Sequence, residues 1–416
     1  MRHRTSLAAC CLLLAAACTD QPTSPGGEPQ ITAPTGAAVP RFSKDGSPAP
    51  LVFDPRFVVP GHYNVIYRQT ANARAVTAQI EAAYGLSPSH RWDEELIKGF
   101  SAEMDDRKVE KIRKHPHVAY VNPVTVGHVT GTLYYPFNWG LDRIDQRALP
   151  LDNAYVYTDS APNVNAYIID TGIRRTHTDF EGRALFGFDA VTSGGTAADC
   201  HGHGTFVSAI VGGREYGVAK KVKLYAVRAA RCDGSVLSNE LISAVNWVAN
   251  NHRKPAVANV SLGFTFEVPE VDQAIYAAIQ KGITFVVGAG NEGVDACTQT
   301  PAHTLGTITV GATDRDDWRW IDFNDGRESN WGACLNLFAP GAEIESAWKD
   351  TDTQYVVGSG TSFAAPHVAG IAANYLGRNP TATPTTVKSA IVNGATPNVV
   401  KDAGTGSPNK LAYSRI

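Results

Sequence analysis

The chain has little of what membrane proteins, nucleic-acid-binding proteins and disordered chains are rich in. Beyond its N-terminus, no stretch of the 416 residues is long and apolar enough to cross a bilayer. Lysine and arginine number 37 against 40 aspartates and glutamates, so no cationic excess favours nucleic acid or an anionic membrane. Glycine has no collagen period, and 43% apolar residues exclude a wholly disordered chain. What remains is a globular protein of about two to four domains.

Residues 1–18 have the features of an export signal. Arginines precede an apolar run from Leu7 to Ala17, which is too short to span a bilayer. The end of this run permits either ordinary cleavage after small residues or cleavage before Cys18, followed by lipidation of that cysteine. Residues 19–50 are rich in Pro, Gly, Ser and Thr and are expected to form a disordered tether. We therefore predict an exported protein whose one route to a membrane is a lipid on Cys18.

Two folded segments follow this tether. In residues 51–131, apolar spacing predicts a small α+β domain with strands and helices at 63–67, 73–84, 99–104, 105–115 and 118–121. In residues 132–416, apolar strands alternate with helices, the strands being expected at 164–170, 224–227, 256–262 and 284–288. Strands separated by helices imply an α/β fold with a mostly parallel sheet flanked by helices. Its site is expected at the carboxyl ends of the strands.

Four cysteines remain once the signal is removed, and these are Cys200, Cys232, Cys297 and Cys334. An even number in an exported chain favours disulfides. Four cysteines allow three pairings, of which the sequential one closes loops of a few tens of residues. A zinc site is disfavoured, because no two of the four have the short spacing of a structural zinc site.

Three short segments carry residue types that are used in nucleophilic catalysis. Asp170 ends an apolar strand, His203 stands between two glycines at the start of a helix, and Ser362 opens a helix of small residues. Alone, Asp170 is explained as a turn residue and Ser362 as a helix cap. Together the three supply a nucleophile, a base and a carboxylate that orients the base. An esterase of the α/β-hydrolase type would need G-x-S-x-G, and Ala364 breaks that pattern.

The chain order Asp, His, Ser resembles that of the subtilase family of serine endopeptidases, within its proteinase K branch. The resemblance extends over residues 139–416 and rests on the three segments, the cysteines and the runs 139–146, 259–263, 288–291 and 406–411. Residues 63–126 are similar to the inhibitory propeptide of these enzymes. The resemblance implies a subtilisin-like catalytic domain, preceded by a ferredoxin-like propeptide domain.

The resemblance also implies roles for individual residues. Ser362 is the expected nucleophile, His203 its base, and Asp170 the residue that orients His203. The side chain of Asn291 and the backbone N–H of Ser362 would hold the oxyanion. Other residues would bind the substrate, either by pairing with an extended polypeptide or by forming the walls of the cleft. These substrate-binding residues are Gly234, Ser235, Ser261, Leu262, Gly263, Gly288, Ala289 and Gly290.

Several positions depart from the family pattern. Phe264 stands where glycine is usual and would narrow the cleft, whereas Ala230 replaces a larger aliphatic residue and would widen the neighbouring subsite. Phe363 replaces the methionine after the nucleophile, so the expected active site resists oxidation. Phe206 replaces a second histidine with no expected chemical loss. His201 replaces asparagine, and a hydrogen-bonding role explains it better than a metal site formed with His203.

Calcium is the one cofactor that the sequence indicates. Asp142, Asp145 and Gln146 are spaced to share one face of a helical turn, and Asp152 follows shortly after. Hard oxygen ligands of this kind suit Ca²⁺. The resemblance places a structural calcium ion at these residues.

A second calcium site of the family uses two backbone carbonyls and an aspartate. The carbonyls match Leu305 and Thr307, but Asn336 stands at the position of the aspartate. Because the only charged ligand is lost, we expect this second site to be weakened.

The propeptide domain is expected to act as an intramolecular chaperone and a tethered inhibitor until the chain cleaves itself between residues 128 and 138. A lipid on Cys18 would then stay with the propeptide. We predict a secreted monomer that acts on polypeptides and does not bind nucleic acid. The alternatives are an inactive relative that serves as a binding module, which the complete set of catalytic residues disfavours, and a chain whose working part is the propeptide.

Overall fold

The computed structural model describes residues 58–93, 98–125, 131–134 and 138–416. Their contacts divide the chain into two compact units, with the boundary after residue 127. The expected export signal, the tether, Cys18 and much of the expected cleavage region lie outside the described residues. Within the described part, no helix is long and apolar enough to cross a membrane.

The first unit follows the order βαββαβ. Its elements are β1 (Val58–Tyr67), α1 (Ala73–Tyr84), β2 (His90–Asp93), β3 (Lys98–Glu103), α2 (Asp106–Ile112) and β4 (Val118–Thr125). The strands form one antiparallel sheet in the order β2-β3-β1-β4, which confirms the ferredoxin-like arrangement. The additional strand β2 was not predicted, because its mostly exposed side chains show no apolar alternation.

Both helices of this unit begin at polar caps and pack on one face of the sheet. The side chains of Asn72 and Asp105 accept hydrogen bonds from backbone N–H groups in the first turns of α1 and α2. Ile80 of α1 and Ile112 of α2 are buried with Phe100 of β3 in one apolar cluster. The unit therefore has a core of its own.

The second unit contains the longer α/β segment. Its helices are α3 (Trp139–Asp145), α4 (His203–Gly212), α5 (Ser238–Asn251), α6 (Pro269–Gln280), α7 (Thr361–Arg378) and α8 (Pro384–Gly394). Its strands are β5 (Gly131–Tyr134), β6 (Ala154–Tyr157), β7 (Asn165–Asp170), β8 (Ala184–Asp189), β9 (Lys223–Arg228), β10 (Ala256–Val260), β11 (Thr284–Gly288), β12 (Ile308–Thr313), β13 (Leu337–Pro340), β14 (Ile344–Ala347), β15 (Tyr355–Gly358), β16 (Thr396–Pro397) and β17 (Lys410–Leu411).

Nine of these strands form one sheet in the order β16-β17-β13-β12-β11-β10-β7-β9-β8. From β8 to β17 all neighbours are parallel, and only β16 runs antiparallel. The chain starts at β7, adds β8 and β9 on one side, and then adds β10 to β13 on the other. The strand order therefore reverses between β7 and β10, and the crevice at such a point is where open parallel sheets bind ligands.

The central strand β7 is buried on both faces, which explains its continuous apolar sequence. Ile168 packs into a cluster with residues of α4 and α7, such as Val207 and Val368. Tyr167 and Ile169 point to the other face and pack with residues of α5 and α6. The helices thus cover both faces of the sheet, as the alternation of strands and helices predicts.

One ion pair of the second unit lies wholly inside it. Arg143 of α3 is fully buried, and its guanidinium donates to both carboxylate oxygens of Asp317 at 2.7 and 3.0 Å. Its remaining nitrogen donates to the carbonyl of Gln146 at 2.9 Å. Asp317 lies in the loop after β12, so the pair fastens α3 to that loop.

Asp317→Asn is expected to lower the free energy of unfolding by about 3–5 kcal/mol, because the Arg143 guanidinium stays buried without a counter-charge. Asparagine tolerates the left-handed backbone at this position, where φ is 68°. As a control, Lys221→Ala removes an exposed pair with Glu181 and should cost at most about 1 kcal/mol. Urea unfolding measures both variants, and equal losses would contradict the prediction.

Candidate active site

The reversal of strand order brings three strand ends and two helix starts to one crevice. Asp170 is the last residue of β7, and Ser261 directly follows β10. His203 begins α4, Ser362 lies in the first turn of α7, and Gly288 ends β11. Because parallel neighbours end at the same edge, residues far apart in the chain share this crevice.

The side chain of Asp170 is fully buried and orients His203. Its Oδ1 accepts from Nδ1 of His203 at 2.8 Å and from the backbone N–H of Thr171 at 2.8 Å. Its Oδ2 is buried and has no hydrogen-bond partner among the described residues. With Nδ1 of His203 as the donor, Nε2 of the neutral imidazole is left to accept a proton.

Opposing effects set the pKa of His203. Burial of the ring lowers it, whereas the charge of Asp170, the hydrogen bond to Asp170 and the charge of Asp199 raise it. The result is a pKa above the ordinary value of histidine. The carboxylate therefore stabilises the imidazolium form against the cost of desolvation.

A carboxylate that the sequence analysis did not single out holds the loop before His203. Oδ1 of Asp199 accepts from the hydroxyl of Thr171 at 2.9 Å and from the backbone N–H of Gly202 at 2.7 Å. Its Oδ2 accepts from the backbone N–H of Thr205 at 2.9 Å. The sequence signal for this role was the position of Asp199 just before the start of α4, where carboxylates accept hydrogen bonds from the free N–H groups of a helix.

The two glycines around His203 are required by a close contact with backbone at Gly204, and by a close contact with a side chain and a positive φ at Gly202. A Cβ atom on Gly204 would lie 2.1 Å from the carbonyl oxygen of Gly172. At Gly202, φ is 114° and a Cβ atom would lie 2.4 Å from the ring of Trp348. Glycine, which has no Cβ atom, is therefore the residue that fits at both positions.

Ser362 does not cap its helix. Gly360 is the N-cap of α7, and no side chain caps this end. The hydroxyl of Ser362 donates to the carbonyl of Ser261 at 3.0 Å, and the hydroxyl of Ser261 donates to the carbonyl of Ser362 at 2.9 Å. This reciprocal pair ties the start of α7 to the end of β10. Among the described residues, the hydroxyl of Ser362 has its hydrogen bond with Ser261 and not with His203.

The side chain of Asn291 is oriented by the start of α7. Its Oδ1 accepts from the backbone N–H of Thr361 at 2.8 Å and from the Thr361 hydroxyl at 3.0 Å. Within the described part of the chain, no hydrogen bond engages its amide nitrogen. Asn291 therefore presents a donor beside Ser362, on the lining of the same cavity.

Two cavities border these residues and share the segment 261–263 as a common wall. The first has a volume of ≈ 210 Å³ and is also lined by 288–291, Phe264 and Ser362. The second has a volume of ≈ 320 Å³ and is also lined by the residues Asp170, His201, His203, Ala230 and Gly234.

Ser235 does not line either cavity; its hydroxyl donates to Asp233 at 2.6 Å. Phe264 lines the first cavity, and its backbone N–H donates to the carbonyl of Thr300 at 2.7 Å. The other predicted substrate-binding residues lie on these linings.

Phe206 and Phe363, two of the three phenylalanines that depart from the family pattern, pack together beside His203. The ring centroids of Phe206 and Phe363 are 4.3 Å apart, and Phe363 lies 5.6 Å from the ring of His203. Phe206 and Phe363 stand where the family has polar or polarisable residues. Their two rings form an apolar wall beside the imidazole of His203, and this wall helps to exclude water from the ring.

The cysteines form the sequential pairing. Cys200–Cys232 joins the loop before His203 to the segment that carries Gly234, and Cys297–Cys334 joins the segment after Asn291 to the segment before β13. Both disulfides therefore fasten loops that border the crevice.

The candidate calcium ligands lie around the end of α3. Asp142 and Asp145 are buried, and burial raises the pKa of both carboxyls, that of Asp145 to about 6. Oδ1 of Asp142 and Oε1 of Gln146 accept from the backbone N–H of Asp152 at 3.3 and 3.2 Å. Gln146 lies just past the helix in extended backbone, so the prediction of one shared helical face is wrong for this residue.

No three His, Cys, Asp or Glu side chains converge on a metal position anywhere in the described ranges. The donor set nevertheless has the hard oxygen chemistry that suits Ca²⁺, and the negative charge of Asp152 adds to the raised pKa of Asp142. A cation at these residues would relieve the cost of burying the carboxylates.

An α/β sheet with a buried aspartate–histidine pair and a serine on an adjacent helix, all at the reversal of strand order, is the architecture of a serine hydrolase. Comparison with known proteins narrows this class. Residues 164–412 match the subtilase family, and residues 64–128 match the peptidase inhibitor I9 family.

Individual relatives agree with these matches. The chain is 43% identical over 378 residues to an extracellular serine proteinase of Thermus sp. (strain Rt41A), a match that covers 86% of this chain and 90% of the relative. It is 42% identical to the alkaline serine exoprotease A of Vibrio alginolyticus, covering 76% of this chain and 59% of that protein. A crystal structure of a cold-adapted subtilisin-like serine proteinase superposes with a TM-score of 0.64 at 46% identity, covering 67% of this chain and 98% of that one.

The chain belongs to the subtilase family. It is a serine endopeptidase with a subtilisin-like catalytic domain and an inhibitor-type propeptide domain, as the resemblance implied.

Asp170→Asn is expected to lower the pKa of His203, because burial of the ring persists while the charge that opposes it is lost. NMR titration of labelled histidines measures this pKa, with His203→Ala identifying the signal. Asp233→Asn is the matched control, since Asp233 lines the same cavity but does not contribute to the pKa of His203. An unchanged pKa in Asp170→Asn would refute the prediction.

Proposed function

We propose that the chain is made as a secreted zymogen that cleaves itself and then hydrolyses peptide bonds with Ser362 as the nucleophile. The observation that carries this proposal is the hydrogen bond between buried Asp170 and His203, at a crevice that Ser362 and Asn291 also border. The alternative of an inactive binding module would need at least one of these four residues to be missing.

In this mechanism, the hydroxyl of Ser362 attacks the peptide carbonyl and gives its proton to Nε2 of His203. The imidazolium then passes that proton to the leaving amine as the peptide C–N bond breaks, while Asp170 stays ionised and stabilises the positive ring. A water that His203 deprotonates next attacks the acyl ester on Ser362, which releases the acid and returns the proton to the Ser362 hydroxyl. The hydroxyl must first turn from the carbonyl of Ser261 toward His203. Catalytic hydrogen bonds often tighten only when substrate is bound, so this rotation is compatible with the free enzyme.

The negative oxygen of the tetrahedral intermediate would be held by two donors. One is the amide nitrogen of Asn291, which is free because Thr361 engages only the Oδ1 atom. The other is the backbone N–H of Ser362, which lies in the first turn of α7, where the helix dipole favours negative charge. Both donors are positioned before the reaction, so little reorganisation is needed.

The substrate is proposed to be an extended polypeptide. Backbone groups of the wall 261–263 and of Gly234 and Ser235 would pair with it as an added strand. The first cavity would take the side chain that precedes the scissile bond, and Phe264 would limit its size. The second cavity, widened by Ala230, would take the substrate side chain one residue further toward the substrate's N-terminus.

The propeptide is proposed to assist folding and to inhibit the enzyme until cleavage between residues 128 and 138. Its match to peptidase inhibitors and its independent core support this role. The name of the Thermus relative describes an extracellular proteinase, which supports export of this chain. We propose that the mature enzyme is a monomer, spans about residues 132–416, and leaves any lipid on Cys18 with the propeptide.

Ser362→Ala is expected to abolish self-processing and casein hydrolysis together. The exported wild-type chain should shorten to a form that starts near residue 132, whereas the variant should keep its propeptide. Intact mass and a casein assay measure the two effects. Ser359→Ala changes a nearby serine whose hydroxyl accepts a hydrogen bond from the backbone N–H of Glu343, and this control should process normally. Processing of Ser362→Ala in a purified sample would disprove the assignment.

Asn291→Ala is expected to lower kcat by about 10²–10³, the magnitude known for the loss of one oxyanion donor in subtilisin, with little change in KM. Asn291→Asp separates this effect from a structural one, because it keeps the acceptor for Thr361 and replaces the donor by a carboxylate oxygen that repels the oxyanion. Both variants should lose kcat for a peptide substrate. Normal activity in Asn291→Asp would show that the contact with Thr361, and not the donor, matters.

We propose a structural calcium ion at Asp142, Asp145, Gln146 and Asp152. Asp142→Asn should reduce the calcium bound per chain by one and remove most of the gain in Tm that calcium gives, since an ion that binds only the folded state stabilises it. Metal analysis and thermal unfolding, with and without EGTA, measure these effects. Asp350→Asn, on an exposed carboxylate, is the control. Equal calcium content in both variants would count against the site.

A further inference from the structure

Two of the three groups that match the second calcium site of the family, the carbonyl of Thr307 and the side chain of Asn336, already have hydrogen-bond partners within this chain. The carbonyl of Thr307 accepts a hydrogen bond from Nζ of Lys388 at 2.7 Å. Oδ1 of Asn336 accepts from the backbone N–H of Thr309 at 2.9 Å, and the N–H of Asn336 donates back to the carbonyl of Thr309 at 2.9 Å. The residues therefore do not fit a calcium ion: the charged ligand is absent, and a positive group lies on one of the carbonyls.

Lys388 reaches this position from α8, a helix 81 residues further along the chain than Thr307. It is partly buried, and burial lowers the pKa of its ammonium group. No carboxylate in the described residues contributes to that pKa. Because a buried cation needs compensating dipoles, the carbonyl of Thr307 is its natural partner.

The net charge at the site gives a second reason to view Lys388 as a replacement for the calcium ion. A divalent ion with one aspartate carries a net charge of +1, and a lysine with a neutral asparagine carries the same. The neutral side chain of Asn336 is thus matched by the single positive charge of Lys388. A carboxylate lost without this compensation would leave the carbonyls without a cation.

We propose that the ammonium group of Lys388 takes the place of the second calcium ion and fastens α8 to the segment before β12. This inference rests on the subtilase assignment but not on catalysis. Thr307 shares a hydrogen bond with Thr309 at 3.2 Å, and the Thr309 hydroxyl donates to the carbonyl of Ala302 at 2.7 Å. Ala302 lines the first cavity. The lysine therefore supports the wall of this cavity without a dissociable ion.

The test uses the full chain with Ser362→Ala, so that no readout depends on activity and no self-cleavage occurs. Asn336→Asp, Lys388→Met and the double variant are compared with this parent by equilibrium dialysis of Ca²⁺ and by Tm in calcium and in EGTA. The first calcium site is unchanged in all four proteins, so differences in bound calcium report the second site.

Lys388→Met alone should lower Tm by roughly 2–6 °C without binding more calcium. Asn336→Asp alone should gain no calcium, because the ammonium occupies the site. The double variant should bind one more calcium ion per chain than the parent, and its Tm should rise more than that of the parent when calcium is added.

Three results would overturn the proposal. One is a gain of calcium in Asn336→Asp equal to that in the double variant, since the lysine would then not exclude the ion. Another is a Tm of Lys388→Met no lower than that of Lys349→Met, which changes a lysine paired with its neighbour Asp350. The third is a double variant that binds no additional calcium.

Discussion

The site depends on one topological constraint, the reversal of strand order between β7 and β10. Because these parallel neighbours end together, Asp170 and Ser261 lie at the same edge of the sheet although 91 residues separate them in the sequence. Ser261 in turn fixes the start of α7 through its reciprocal hydrogen bonds with Ser362. The positions of the nucleophile and of the aspartate that orients the base are therefore both set by adjacent strand ends.

The electrostatics of the crevice follow from its burial. A fully buried carboxylate such as Asp170 is costly, and its Oδ2 lacks a partner among the described residues, so the hydrogen bond with His203 is its main compensation. The same burial lowers the pKa of His203 and makes the opposing charge of Asp170 more effective. Asp199 adds a second negative charge while it holds the loop that carries the histidine. One carboxylate thus orients the ring directly, and the other does so through the backbone.

The sequence could predict those parts of the molecule that short motifs or apolar periodicity determine. The α/β fold, the ends of β7 and β11 to within one residue, and the candidate residues Asp170, His203 and Ser362 fall in this group. Features that depend on distant partners could not be predicted. The role of Asp199 could not be recognised, because many aspartates precede helices. The disulfide pairing depends on which loops are neighbours in the fold. The partner of the Ser362 hydroxyl, Ser261, follows a strand far away in the sequence. Strand β2 was missed because its exposed side chains carry no pattern.

The two candidate cation sites show how the same physical problem has two solutions. Around α3, buried Asp142 and Asp145 concentrate negative charge. The charge of Arg415 lowers the pKa of Asp145, but Arg415 donates to the backbone carbonyl of that residue, and no ion pair to either carboxylate forms within the described residues, so an external ion is the fitting counter-charge. Behind the first cavity, neutral Asn336 and the carbonyl of Thr307 require only a single positive charge, which α8 provides through Lys388. An ammonium group on a side chain loses side-chain entropy when it is fixed, but it cannot dissociate as a bound ion does. It therefore stays in place when the concentration of free calcium falls. Loss of calcium should therefore loosen the region around α3 before it affects the cavity wall.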